Sequence, residues 1–340
     1  MPLPTVVLGS RQINTTRLGF GCASLFRIPS RAQRVQLLDA AYEAGIRHFD
    51  VAPMYGLGRA EAELGSFART RRSELTITTK FGIDPTLLAY GAGRYQAPLR
   101  RIFTAKPKAP DRATAHLVGP ADSRVARLLY ARGGYNVPNA RKSLERSLRL
   151  FSSDYIDLLL LHDPSPGSVR SDDVFSYLET ARTAGLIRSW GIAGDLPRVS
   201  TVAESFYTHI PVWQVRDDIF LRSLQPAPAD TAFITFGVLD RALPRLVHYV
   251  RDNHSIRARW NDVIGADCGR PEVAASFLLS AALRANGSGV VLFSTVQPAR
   301  IRAGVTAVER CITTRDPALE AFLNLADTEL CRPVTEGDSE

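Results

Sequence analysis

Ile46-Arg47-His48-Phe49-Asp50-Val51-Ala52-Pro53-Met54-Tyr55-Gly56 begins as a short apolar strand, ends that strand on an acid, and breaks at Pro53 and Gly56 with a phenol on the turn. In a parallel sheet a strand of this kind delivers its C-terminal residues to the rim where ligands bind. Asp50 and Tyr55 are therefore candidates for one proton-transfer site. A plainer reading stands beside it: Asp50 caps the turn, and Tyr55 packs half-buried with its hydroxyl in water. The rest of the chain has to choose between the two.

Outward from that stretch the pattern is regular. A strand over 17–21 and a helix over 30–44, with Val35, Leu38 and Tyr42 at helical spacing and Gly45 as its stop, precede it. A helix over 59–70 follows, then a strand over 75–79 that ends on Lys80. After an interruption, a helix from Asn139 leads into Tyr155-Ile156-Asp157-Leu158-Leu159-Leu160-Leu161-His162-Asp163, an apolar run of the kind buried on both faces, which stops at His162. Further strands are expected at 187–193, 212–215, 232–236 and 290–293, and helices near 172–184, 198–207, 243–251, 271–283, 298–311 and 318–325. Residues 5–8 and 12–16 around Gly9-Ser10 read as a hairpin that closes the bottom of a barrel. Strands starting near 17, 46, 75, 155, 187, 212, 232 and 290 make eight, each followed by helical or irregular sequence, and predict a (β/α)8 TIM barrel with an N-terminal β-hairpin.

The interruption is residues 84–137, rich in Pro, Gly and Arg, with at most a short helix near 123–131. It is expected to be a rim insertion, either a lid or a solvated loop. The chain carries a net charge of +8, and this segment holds nine Lys or Arg against three acids, +6 of that total. The charge is thus local, without aromatic interleaving or a known module, which argues against nucleic acid; as a lid the segment would attract an acidic substrate, and as a solvated loop it would carry no such role. With 340 residues, 45% of them hydrophobic, the chain is expected to fold as one barrel domain over 1–340, with a disordered tail over 333–340. The four cysteines, Cys22, Cys268, Cys311 and Cys331, show no metal-ligand spacing and read as reduced thiols. No secretory leader or membrane span is legible, so a cytoplasmic location is expected.

Asp50, Lys80 and His162 all stand where predicted barrel strands end, and Tyr55 stands just beyond the first of them. Together with Leu18-Gly19-Phe20-Gly21, Gly45-Ile46-Arg47-His48-Phe49-Asp50, Tyr55-Gly56, Thr78-Thr79-Lys80, Tyr155-Ile156-Asp157 and Leu160-Leu161-His162, this set resembles the aldo-keto reductase family. The resemblance covers most of the chain outside 84–137. It implies reversible hydride transfer between a nicotinamide cofactor and an aldehyde, ketone or sugar lactol. Tyr55 would be the acid/base, Lys80 the cation that lowers its pKa, Asp50 the partner of Lys80, and His162 the group that orients the substrate oxygen.

On the cofactor side the resemblance implies a carboxamide-binding Gln214, an aromatic platform at Phe236, and an adenosine-phosphate loop containing Thr295 and Arg300. Four positions depart from the family's pattern. Ala193 and Gly194 stand for a serine and an asparagine, Ser294 for a lysine on the 2′-phosphate, and Gly304 for an adenine-binding asparagine. Arg300 keeps NADP as the expected cofactor, and the missing lysine leaves NAD open. The same departures motivate an alternative reading, a barrel that binds cofactor weakly and acts as a redox sensor or partner-binding subunit.

Overall fold

The computed structural model describes residues 2–8, 13–93, 128–165, 167–206, 209–224, 231–312 and 316–330. Most of the basic insertion (94–127), the hairpin turn at 9–12, Cys331 and the tail 333–340 lie outside them.

The elements run β1 (Thr5–Leu8), β2 (Ile13–Thr16), β3 (Leu18–Gly21), α1 (Arg31–Glu43), β4 (His48–Asp50), α2 (Ala60–Ala68) and β5 (Thr76–Phe81). After β5 come β6 (Ile83–Pro85), α3 (Leu87–Gly93), β7 (Tyr130–Arg132), α4 (Val137–Phe151), β8 (Ile156–His162), α5 (Asp173–Thr183), β9 (Ile187–Gly194) and α6 (Leu196–Phe206). The chain continues through β10 (Val212–Arg216), β11 (Ala232–Phe236), α7 (Ala242–Arg251), α8 (His254–Ile264), α9 (Pro271–Ala285), β12 (Val290–Phe293), α10 (Pro298–Ile312) and α11 (Pro317–Leu325). β3, β4, β5, β8, β9, β10, β11 and β12 pair in parallel in that order, and β12 closes back onto β3. This is the expected eight-stranded barrel. No helix among the described residues is long and apolar enough to cross a membrane.

Period-two alternation sorts the strand side chains into two cores. Leu158, Leu160, Ala193, Val212, Ile234, Val290 and Leu292 form the barrel interior. Leu159, Leu161, Ile192, Val215 and Val291 belong to the larger core beneath the helices. The unbroken leucine run of β8 is explained by this: both of its faces are buried. Leu8 and Ile13 of the β1–β2 hairpin join the interior cluster, and the Thr15 and Thr16 hydroxyls reach His48 and the amide of Arg47, so the hairpin closes the N-terminal mouth. Gly191 is required by the curvature, since a Cβ there would lie 1.9 Å from the Val212 carbonyl oxygen.

Two local readings are corrected. Tyr130–Arg132 is a strand, not the end of a short helix, because its backbone pairs with Ile83–Pro85 in an antiparallel ladder just after β5. The helix α8 was not anticipated from periodicity: only Trp260 and Ile264 of its residues are buried, too few to print a stripe. Its ends are capped, Asn253 accepting from the amides of Ser255 and Ile256 and Gly265 taking φ 72°.

Tyr155-Ile156-Asp157 turns out to be scaffold. The fully buried Asp157 carboxylate accepts from the Ile77 amide at 2.9 Å and pairs with Arg72 at 2.8 Å and Arg188 at 3.0 Å. The Tyr155 ring is sandwiched by the same two guanidiniums, 4.1 and 4.3 Å from its centroid. Removing the carboxylate takes the acceptor from the Ile77 amide and the counter-charge from Arg72, which keeps only neutral acceptors on Ser153, Leu75 and Tyr155. Asp157→Ala is expected to cost about 3 kcal/mol of stability in urea unfolding with the spectrum of the folded state retained; a loss under about 1 kcal/mol would contradict that assignment.

Candidate active site

At the C-terminal mouth, β4 and β5 place Asp50 and Lys80 side by side. The Lys80 ammonium donates to both carboxylate oxygens of Asp50, at 2.8 and 2.7 Å, and to the Val51 carbonyl at 3.1 Å. Both side chains are buried. Burial works against the charge on Lys80, but the attraction of Asp50 and the hydrogen bonding around it prevail, and its pKa is raised. Gln214 on β10 donates to Asp50 at 2.8 Å, so the carboxylate is tied across the barrel.

Tyr55 reaches this pair from a turn. Its amide donates to the Ala52 carbonyl at 3.0 Å, and the chain then passes through left-handed geometry at Gly56, φ 60°, and Leu57, φ 55°. Gly56 is needed there, because a Cβ would lie 2.5 Å from the Phe26 ring. The Lys80 nitrogen sits 5.2 Å from the centroid of the Tyr55 ring, and the His162 ring meets that ring edge-on at a centroid distance of 6.1 Å. Asp50, Tyr55, Lys80 and His162 thus converge on one mouth.

The charge states follow from burial and neighbours. Burial pushes the Tyr55 hydroxyl up, the Lys80 charge and hydrogen bond pull it down, and the net displacement is upward. Lys80 thus pulls this phenol down as expected, but burial outweighs the pull, and Tyr55 is a neutral phenol. Burial first, then Lys80 and Arg132, hold His162 well below the ordinary histidine value, so it is a neutral imidazole, and its buried Nδ1 has no partner among the described residues. Cys22, one residue past β3, also feels Asp50 and Lys80; burial keeps it a thiol. Nothing in its sequence context marks it as part of this cluster.

The positions matched to a nicotinamide cofactor divide. Gln214 keeps its buried Oε1 without a partner among the described residues, an acceptor facing the mouth beside Asp50. Phe236 ends β11, half-buried, with the Arg216 guanidinium 5.2 Å from its centroid. An orphaned acceptor and an aromatic rim residue fit a carboxamide-bearing ring. Ala193 pairs in register with both His162 and Gln214 and offers no polar side chain, and neither does Gly194. The Ser294 hydroxyl donates to the Gly21 carbonyl at 2.8 Å and so seals the β12–β3 seam. Thr295 bonds locally, accepting from the Gln297 amide at 3.1 Å, and Arg300 is exposed on the first turn of α10. Gly304 is on the inner face of that helix, where a Cβ would lie 3.3 Å from Phe293 and 3.5 Å from Leu18; its smallness serves helix-to-barrel packing.

The aldo/keto reductase family matches residues 17–227 of the chain. A D-threo-aldose 1-dehydrogenase of a Pseudomonas species is 33% identical over 181 residues, 52% of this chain and 49% of that protein. A pyridoxal 4-dehydrogenase of Microbacterium luteolum is 34% identical over 183 residues, 52% of this chain and 48% of that protein. The chain's match thus spans about half the length of these curated relatives. Among solved structures, an aldo-keto reductase of Klebsiella pneumoniae in complex with NADPH superposes with a TM-score of 0.64 at 18% identity, covering 100% of this chain and 99% of that one. A glycerol dehydrogenase of Gluconobacter oxydans superposes with a TM-score of 0.65 at 16% identity, covering 99% of each chain.

Beneath Asp50, on the same inward face of β4, His48 is buried with Thr78 Oγ1 3.1 Å from its Nε2. Burial, then the Lys80 charge, hold its pKa down to about 3. The unfolded chain, with an ordinary value near 6.5, takes up that proton first, so this group's contribution to stability is complete above pH 6.5 and is lost as pH falls toward 3. Replacing His48 by Gln is expected to flatten the acid limb of the stability curve by about 1.4 kcal/mol per pH unit. Urea titrations at a series of pH values read this directly, and an unchanged slope would show that His48 is already protonated in the fold.

Proposed function

Because this chain belongs to the aldo/keto reductase family, we propose that it is an NAD(P)-dependent oxidoreductase that transfers hydride between nicotinamide and an aldehyde, ketone or sugar lactol, with Tyr55 as the acid/base. The observation that carries the reading is the buried Asp50–Lys80 pair with the Tyr55 ring 5.2 Å from its ammonium. A hydrophobic pair would fill the same positions at lower desolvation cost, so packing by itself does not account for the charges. Its chemical use is to hold a permanent cation beside a phenol.

When bound, the cofactor supplies or accepts the hydride. In the reducing direction Tyr55 gives its phenolic proton to the substrate oxygen as that oxygen gains negative charge. Lys80, kept charged by Asp50, stabilises the phenolate left behind. His162, neutral, orients the substrate oxygen and donates to it from one ring nitrogen, which places the developing charge between an imidazole and a phenol. In the oxidising direction Tyr55 takes the proton back. Gln214 would hold the carboxamide through Oε1, Phe236 would stack on the ring, and Thr295 and Arg300 would contact the adenosine phosphate.

Ala193, Gly194 and the engaged Ser294 hydroxyl leave fewer cofactor contacts than the family's usual set, and this favours one second reading: a barrel with weak cofactor affinity that serves as a sensor or partner-binding subunit. Titration with NADPH and NADH, followed by quenching of the chain's tryptophans, separates the two. An aldose and pyridoxal head the substrate screen because of the two dehydrogenases reported above, and acidic aldehydes join it because of the basic insertion.

Tyr55→Phe removes one oxygen and leaves the ring. Turnover is expected to fall by a factor of about 10² to 10⁴ while cofactor affinity stays close to that of the unaltered protein. Steady-state rates and quenching titrations on the two proteins check this, and turnover surviving in the variant would take the acid role away from Tyr55.

A further inference from the structure

Asp163 follows His162 directly and holds a left-handed backbone, φ 52°, which a non-glycine residue keeps only where its surroundings enforce it. Three elements do the enforcing. Arg198, in the first turn of α6, donates from Nη1 to both carboxylate oxygens at 3.0 and 3.2 Å. Arg132, at the end of β7, donates to the same carboxylate at 3.3 Å and to the Asp163 carbonyl at 3.2 Å. Tyr135, in the loop before α4, donates its hydroxyl to the His162 carbonyl. The Asp163 amide donates to the Ala193 carbonyl at 2.6 Å. Every polar group of the backbone leaving His162 is therefore engaged.

The His162 side chain is in the opposite condition. Its buried Nδ1 has no partner among the described residues, so no hydrogen bond at that nitrogen fixes the ring. Its placement comes from the backbone and from the edge contact with Tyr55. Gly194 lies against the clamp, where a Cβ would make ordinary contact, 3.5 Å from Asp163 Oδ1. Tyr135 is in turn wedged against the end of β5, because a Cβ on Gly82, at φ 105°, would lie 2.2 Å from its ring. The paired strands β6 and β7 and the loop to α4 thereby join the strand carrying Lys80 to the strand carrying His162.

We propose that Asp163, bracketed by Arg132 and Arg198, is a positioning clamp for His162, and that the paired strands β6 and β7 belong to the reaction site through it. The proposal rests on the oxidoreductase reading for its kinetic consequences and on the geometry alone for its effect on the ring.

The test compares the full-length protein with Asp163→Ala, with the double variant Arg132→Ala/Arg198→Ala, and with Asp163→Asn, which keeps tolerance of left-handed backbone but not the charge. Asp267→Asn, which breaks the distant Arg257–Asp267 pair, is the control. With saturating NADPH and the best carbonyl from the screen, kcat is expected to fall between roughly tenfold and a hundredfold in the first two, less in Asp163→Asn, and not in the control. NADPH affinity is expected to stay within about twofold throughout. The ¹⁵N–¹H resonances of the His162 imidazole, assigned with His162→Gln, are expected to broaden or split in the first two variants and stay single in the control. Unchanged His162 resonances would overturn the proposal, whatever happens to thermal stability. If the unaltered protein binds NADPH but turns over no carbonyl, the oxidoreductase reading falls, and the His162 resonances alone decide the clamp.

Discussion

The contact on which the mouth of this barrel depends is the ion pair between Asp50 and Lys80. Two opposite charges out of water are a liability unless every remaining lone pair and proton is met. Here the ammonium has three acceptors, both Asp50 oxygens and the Val51 carbonyl, and the carboxylate has a further donor in Gln214 from across the barrel. The closed sheet is what makes this affordable, because adjacent parallel strands hold Asp50 in register with Thr78, and Lys80, two residues further along β5, reaches back to it with no loop to absorb error. The charge states of the surrounding groups are then set by that pair together with burial: Tyr55 a phenol, Cys22 a thiol, His162 an uncharged imidazole.

Around this fixed centre the rim has been altered at several places, and each alteration has a physical consequence in the fold. Ser294 closes the seam between the last and first barrel strands. Gly304 lets α10 approach Phe293 and Leu18. Gly194 lies against the Asp163 carboxylate, which two arginines hold. Ser294 and Gly304, which read as losses against the family's pattern, are taken up in this chain's own hydrogen bonding and packing. The ladder formed by β6 and β7 belongs to the same pattern. It contributes Arg132 to the rim beside His162 and ends in a loop whose Tyr135 packs on Phe81.

Much of this was legible in the sequence where one period governed a whole segment. The run from Ile156 to His162 had to be a strand buried on both faces, and the alternation of such runs with amphipathic stretches had to give a parallel barrel. Legibility failed where local pattern and tertiary role parted. The helix α8 is held by Trp260 and Ile264 and by its caps, so periodicity passed over it. Tyr130–Arg132 is a strand only because Ile83–Pro85 lies opposite. Asp163 looked like the end of a strand, and its arginines lie 31 and 35 residues away in either direction, which no local signal could join.

By itself the sequence determined the barrel, its closing hairpin, and which residues stand at strand ends, since hydrophobic periodicity and turn residues are local properties that a linear reading can detect. Tertiary structure alone decided which of those residues touch, and therefore which are charged. Lys80 meets Asp50 across 30 positions and Gln214 meets it across 164. Proton affinity depends on burial and on neighbours within a few ångströms, and those distances exist only once the sheet has closed.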